Sequence, residues 1–201
     1  MNLSGIFYYL GKINLLIVFF SIINLLYCFY FDFKINLEIY FYTLIISSAY
    51  YLITFRIKFK KNFKTNNLIL FAILGWTILP LIMSLPFWFG GYSSFLNSYF
   101  ETVSGFTSFG ASIFSNKINI LDSPILLWRS STQVVGSIFF VMSIILVFGN
   151  RAINIYSLKF ITKKKDTVYF SINFENVFNN TVYAYVIIFL ISIFFLNLTD
   201  L

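Results

Sequence analysis

The sequence predicts an all-α integral membrane protein with about five transmembrane helices and one further segment that enters the membrane and leaves on the same side. Apolar residues make up 59% of the 201-residue chain and charged residues only 10%, whereas a soluble domain carries about 25% charged residues. Five charge-free stretches are near or above the length that crosses a bilayer, about 20 residues, and basic residues concentrate between them. This composition argues against a water-soluble globule, a nucleic-acid binder and a disordered chain.

Four of the five charge-free stretches each predict one transmembrane helix, because their lengths match the hydrocarbon core. These four are residues 13–31, 39–55, 130–150 and 176–199. The remaining stretch, residues 68–100, is too long for one crossing. We expect residues 68–88 to cross, with Pro80 and Pro86 kinking or ending the helix, and the rest not to cross.

The charges between these stretches predict the orientation. Residues 56–64 carry five Lys or Arg and no acid, and residues 151–175 carry five Lys or Arg against two acids. By the positive-inside rule both segments are cytoplasmic, as is the N-terminus, in a multi-pass protein of the cell (inner) membrane. Two cytoplasmic loops require an even number of crossings between them, so residues 93–113 must enter and leave on one side.

Residues 93–113 therefore predict a re-entrant segment, with a short pore helix over residues 94–105 and an extended, filter-like turn over residues 106–112. The C-terminal end of a helix carries about half a negative charge, which favours a cation nearby. Backbone carbonyls of the turn can replace the hydration shell of an ion, and Gly110 permits a positive φ. The candidate ion-binding residues are Thr107, Ser108, Phe109 and Gly110.

Two ordered motifs carry a resemblance to a known family. Residues 100–112 read F-E-T-V-S-G-F-T-S-F-G-A-S, and residues 128–137 read W-R-S-S-T-Q-V-V-G-S. They resemble the patterns F-E-x-x-S-G-x-T-T-T-G-A-T and W-R-S-x-x-Q-W-L-G-G of the Trk/Ktr/HKT superfamily of potassium uptake proteins, in particular their bacterial membrane subunits. Ser137 and Phe139 stand where that family often has glycines, which bears on close helix packing.

The resemblance implies a fold of four helix–pore loop–helix repeats around one pore, of which this chain would supply the N-terminal portion. Residues 1–64 would be two preceding transmembrane helices, and residues 65–150 one complete repeat. Residues 151–201 would be a cytoplasmic basic loop and the first helix of a second, incomplete repeat. Phe109 is bulky for a filter position, but its carbonyl remains available.

The resemblance also implies potassium uptake, with dehydrated K+ passing through a carbonyl-lined filter. K+ would be the transported ion, without an organic cofactor or another metal. The implied partners are the lipid bilayer, a second copy in a homodimer or the missing C-terminal repeats, and a cytoplasmic nucleotide-binding regulatory subunit; no nucleic acid is expected. The alternatives are a Na+-permeable member, a non-transporting membrane remnant and an assembly partner of a transporter. No enzyme is expected, because the chain lacks histidine and any catalytic constellation.

Glu101 lies about two turns into the predicted pore helix. Arg129 lies about a turn and a half into the helix that contains residues 130–150, because Asp122, Ser123 and Pro124 form a plausible start for that helix. Glu101 would either brace the back of the loop, by pairing with Arg129 or by bonding loop amides, or face the pore and attract cations. Arg129 would either pair with Glu101 or extend to the lipid headgroups.

Four other residues have a predicted position or contact within the membrane protein. Trp88 and Trp128 are expected at the outer membrane–water interface. Gln133, like other polar residues within the spans, is expected to make an interhelical hydrogen bond. Gly136 is expected to be a packing contact rather than a hinge.

Overall fold

The computed structural model contains seven helices in the residues that it describes, and no strand among them. The described residues are 3–58, 65–114, 121–160 and 174–198. The helices are α1 (Leu3–Tyr30), α2 (Lys34–Phe55), α3 (Thr65–Met83), α4 (Leu85–Phe89), α5 (Phe95–Phe106), α6 (Ser123–Phe160) and α7 (Phe174–Leu198). Among the described residues, five helical stretches are long and apolar enough to cross a membrane, one of them formed by α3 and α4 together. The predicted all-α class is confirmed, and five helices of membrane-spanning length and polarity are present as predicted.

Several helices extend beyond the charge-free stretches that predicted them. α1 begins at Leu3 and includes Lys12, and α6 begins at Ser123 and includes Arg129. The loop predicted over residues 151–175 is corrected at its start, because residues 151–160 continue α6. Residues 161–173 lie outside the described residues. A membrane helix tolerates a charged side chain near its end or in an ion pair, so charge-free length underestimates helix length.

The break between α3 and α4 lies at Ser84, shortly before Pro86. Pro86 has no N–H, and its ring crowds the carbonyl of the residue four positions earlier, so the helix ends nearby as predicted. Pro80, by contrast, stays inside α3. At the break, the carbonyl of Met83 accepts a hydrogen bond from Nε1 of Trp128 at 2.9 Å. Trp128 is fully buried, so the expectation that its ring lies at the lipid interface is wrong.

The chain divides into two compact units, Met1–Phe139 and Phe140–Leu201. The second unit contains the rest of α6 and α7, and most apolar side chains of α7 are exposed. The first unit contains α1 to α5, the start of α6 and an aromatic cluster. That cluster consists of Phe71, Trp76, Phe106 and Phe139. A Cβ on Gly75 would lie 2.1 Å from the ring of Phe139, so a glycine on α3 makes the room that this large side chain needs.

A polar network connects α2 with the loop before α5 and with the start of α6. The hydroxyl of Tyr92 lies 2.7 Å from Oδ2 of Asp122 and 2.9 Å from Oδ1 of Asn36. The hydroxyl of Tyr40 donates to the carbonyl of Pro124 at 2.9 Å. These bonds fix where α6 begins, and therefore where its next turns meet α5.

Candidate functional site

The candidate site starts where α5 ends. The N–H of Phe109 donates to the carbonyl of Ser104 at 3.0 Å, and the N–H of Ser108 donates to that of Gly105 at 3.0 Å. Ser108 has a φ of 55°, in the left-handed region. This pair of bonds around a left-handed residue is a Schellman motif, which usually has glycine at that position. The predicted turn over residues 106–112 is therefore corrected at its start, because Phe106 is still helical and Thr107 has a helical backbone.

After Gly110, which has a φ of 77°, the chain reverses and runs back along α5. We call residues 107–110 the loop tip and residues 111–114 the return limb. The hydroxyl of Ser104 donates to the carbonyl of Ala111. One turn earlier on α5, the carboxylate of Glu101 accepts from the hydroxyl of Ser112 at 3.0 and 3.1 Å and from the N–H of Ile113 at 2.9 Å. The return limb is thus attached to α5 at two levels.

Glu101 also binds α6. Nε of Arg129 donates to Oε1 of Glu101 at 2.8 Å, and the two side chains are 18% and 1% exposed respectively. The two bracing contacts considered from the sequence, with Arg129 and with a loop amide, are both present. The carboxylate is buried behind the return limb, so it presents no charge to solvent at the loop tip.

The loop tip itself is exposed. All four residues are open to solvent, and the side chain of Phe109 is 77% exposed. The hydroxyl of Thr107 turns back to the carbonyl of Val103 at 2.8 Å. Within the described chain, no hydrogen bond engages the carbonyls of Ser108, Phe109 or Gly110. These backbone dipoles are available to a cation, as carbonyls are in selectivity filters.

Two glycines let α5 and α6 approach closely. A Cβ on Gly105 would lie 2.4 Å from Oγ1 of Thr132, and a Cβ on Gly136 would lie 2.0 Å from the carbonyl oxygen of Phe106. The structure therefore places Gly136 in a packing contact directly beside the last residue of α5. This contact fixes the point from which the loop tip extends.

Sequence reasoning missed two residues of the site, Ser104 and Ser112. In the sequence, Ser104 stands out only as part of a motif, and Ser112 only as the last residue of the predicted turn. Their bonds depend on the return limb running back along α5, which no local pattern in the sequence reveals. No group of three His, Cys, Asp or Glu side chains in the described ranges is placed to hold a metal ion.

Comparison with known proteins gives one partial similarity. Over 79 residues the chain is 29% identical to an uncharacterized cation transporter of Methanocaldococcus jannaschii. The matched stretch covers 39% of this chain and 16% of that protein, so the chain spans only a small part of this relative. No family model matches the chain, and no solved structure matches it.

Proposed function

We propose that the chain is part of a cation transporter and that the loop tip lets K+ pass by offering it backbone carbonyls. The observation that carries this proposal is the exposed tip, which is held at both ends by bonds to α5. Its carbonyls at Ser108, Phe109 and Gly110 accept no hydrogen bond from any residue that the structure describes. The partial similarity to a cation transporter supports the transport class. The resemblance of residues 100–112 to the Trk/Ktr/HKT motif favours K+ over Na+.

The chemistry of the tip fits a cation and does not fit an anion. The N–H groups of Thr107, Ser108 and Phe109 are used by carbonyls of the last turn of α5. The carbonyls of Ser108, Phe109 and Gly110 accept no hydrogen bond from the described residues. The C-terminal end of α5 adds about half a negative charge. A cation that sheds its water at this point gains oxygen ligands and a favourable field.

The carbonyls of the loop tip keep a defined position when both ends of the tip are held. The Schellman motif holds the start of the tip, and Ser104 and Glu101 hold the return limb. Arg129 fixes the Glu101 carboxylate to α6. Attachment at both ends keeps the number and position of the carbonyl ligands defined. Cavity size and the number and field strength of the carbonyls are the two accounts of how a filter selects its ion.

The proposal includes the placement of the loop in the membrane. α5 and the loop tip would be re-entrant, which is tolerated where protein or a water-filled cavity surrounds the backbone. The N-terminus and the basic segments would be cytoplasmic. In a Cys28→Ser background, Asn66→Cys and Asn154→Cys should label from the same side of the cell membrane. Labelling from opposite sides would show an odd number of crossings between them and would remove the re-entrant segment.

A filter requires about four such loops around one axis, and the described residues provide one. We propose that further repeats or a second copy of the chain complete the pore, and that a cytoplasmic nucleotide-binding subunit regulates it. The chain would then act as a partial subunit and not as an enzyme.

The transport assay has a matched pair of glycine variants. Gly110 and Gly91 have φ values of 77° and 68°, and nothing lies within 4 Å of a Cβ built on either. Alanine at each position should therefore cost a similar backbone strain, about 1–2 kcal/mol. In cells that lack their own K+ uptake systems, the intact gene product should restore growth at low K+ and take up Rb+. Gly110→Ala should reduce the preference for K+ over Na+, and Gly91→Ala should leave it unchanged.

The same assay separates the alternatives. Uptake of Na+ in preference to K+ by the unmodified protein would favour a Na+-permeable member. A folded, membrane-inserted protein that takes up neither ion would favour a non-transporting remnant or an assembly partner.

A further inference from the structure

The part of α6 that follows Arg129 has two different sides. Thr132, Val135 and Gly136 are buried, with Thr132 and Gly136 against the end of α5. Ser130 and Gln133, one turn apart on another side, are exposed. A polar, exposed side on an otherwise apolar helix of membrane-spanning length is unusual, because polar groups that face lipid lose hydrogen bonds.

Gln133 differs from the hydroxyl residues around it. The hydroxyl of Ser130 donates to the carbonyl of Leu126 at 3.1 Å, and that of Ser137 donates to the carbonyl of Val134 at 3.0 Å. These hydroxyls are satisfied inside α6. The carboxamide of Gln133 makes no hydrogen bond to any residue in the described ranges, which departs from the interhelical bond expected from the sequence.

A carboxamide has two donor hydrogens and an accepting oxygen, and leaving them unpaired in hydrocarbon is costly. Gln133 must therefore contact water, an ion or additional protein. Its position favours the first two. Cγ of Gln133 lies 3.9 Å from where a Cβ on Gly105 would be, and Gly105 lies in the last turn of α5. The exposed carboxamide thus extends beside the helix end whose partial negative charge attracts cations.

We infer that Gln133 lies in the aqueous path beside the loop tip, where its carboxamide binds the hydration shell of the cation and so affects the rate of its passage. This inference rests on the proposed function. The carboxamide oxygen would accept from the water molecules around the cation, and the N–H groups would bind the water that leaves as carbonyls of the tip replace it. A hydrogen-bonding side chain next to the tip lowers the cost of that exchange.

Water contact is tested by cysteine accessibility, for which the chain is well suited because its single cysteine, Cys28, is buried. In a Cys28→Ser background, Gln133→Cys should react with a charged, membrane-impermeant methanethiosulfonate applied to both faces of permeabilised membranes. Ile73→Cys is the matched control, because Ile73 is an apolar residue of α3 that is 56% exposed and would face lipid. Apolar surroundings raise a thiol pKa and reduce the reactive thiolate, so Gln133→Cys should react at least about tenfold faster. Equal, slow reaction of the two variants would show that lipid or protein covers Gln133 and would overturn the inference.

Transport by intact protein completes the test. Gln133→Leu removes the polar group at similar size and should lower the initial rate of K+ uptake about tenfold, as expected for the loss of a hydrogen bond in a charged environment. Ser130→Ala, on the same side of α6 but with a hydroxyl already bonded within the helix, should leave the rate unchanged. Normal uptake by Gln133→Leu would overturn the inference and leave the proposed function standing. Absence of uptake by the unmodified protein would overturn both.

Discussion

Replacing Glu101 by Gln tests how the loop is held. The change keeps the size of the side chain and removes its charge. Nε of Arg129 lies 2.8 Å from Oε1, and the N–H of Ile113 lies 2.9 Å from Oε2. A carboxamide has one oxygen, so whichever way it is oriented, its NH2 group meets a donor, either Arg129 or Ile113. At least one donor that Glu101 now satisfies therefore loses its acceptor.

The expected loss of stability in Glu101→Gln follows from the burial of the ion pair between Glu101 and Arg129. Glu101 is 1% exposed and the side chain of Arg129 is 18% exposed. Removing one partner of a buried ion pair costs about 3–5 kcal/mol. Arg129 keeps some access to solvent, and Ser112 can still donate to the remaining oxygen. We therefore expect Glu101→Gln to lower the free energy of unfolding by an amount at the low end of this range, about 3 kcal/mol.

The measurement is reversible unfolding in mixed detergent micelles, followed by tryptophan fluorescence. Glu38→Gln is the matched control, since Glu38 is an exposed acid in the first turns of α2 and should change the free energy of unfolding by less than about 0.5 kcal/mol. Combining Glu101→Gln with Arg129→Gln completes a double-mutant cycle, in which residues in contact show a coupling of about 0.5–3 kcal/mol.

Two results would refute the reasoning. One is a Glu101→Gln protein as stable as the Glu38→Gln control. The other is additivity of the Glu101 and Arg129 changes, which would mean that the ion pair contributes nothing to holding the loop. A stable Glu101→Gln variant with altered ion preference would instead indicate that the carboxylate acts on the ion through its field.

Three further changes have defined outcomes. Gly136→Ala places a Cβ 2.0 Å from the carbonyl oxygen of Phe106 and should lower the free energy of unfolding by about 1–3 kcal/mol; no loss would show that α5 can shift away from α6. Ser108→Gly removes a side chain at a φ of 55° and should raise the same free energy by about 1 kcal/mol, so a lower value would disprove strain there. Burial, followed by the hydrogen bond and charge of Asp122, raises the pKa of Tyr92 above its ordinary value of 10.0. The stability that Tyr92 contributes is present below pH 10.0 and is lost as the pH rises through the higher pKa of the folded state. The Tyr92→Phe variant should therefore lose less stability than the unmodified protein between about pH 9 and pH 11, and an equal loss would contradict this assignment.

The helices were predictable from the sequence because the bilayer imposes a strong rule on length and polarity. The helix ends were less predictable, since they depend on where a charge is tolerated. Arg129 precedes a charge-free stretch of the sequence and lies inside α6, as the polar cap and the proline at the start of that helix predict, and there it pairs with Glu101. Trp128 was misplaced, since the helix break provides the carbonyl of Met83 as a buried partner for its indole N–H.

The residues of the loop tip could be selected from the sequence, but their geometry could not. Gly110 suggested one positive φ, and the structure has a second at Ser108, where the Schellman motif imposes a left-handed backbone on a residue other than glycine. The partners of Ser104 and Ser112 followed only from the path of the return limb. These contacts form only because the chain reverses direction after Gly110. No local pattern in a single sequence predicts such a reversal.

The bonds of Glu101 explain why an apolar chain keeps a buried ion pair behind the loop. An apolar pair of similar volume could give equal or greater stability, because burying charges costs more than it returns in many proteins. An apolar side chain could not, however, accept from the N–H of Ile113 and the hydroxyl of Ser112. Without those acceptors the return limb could slide along α5, and the carbonyls of the tip would move with it. Arg129 holds the carboxylate in the orientation in which it meets these donors, so the pair specifies the position of the loop more than it adds to the stability of the fold.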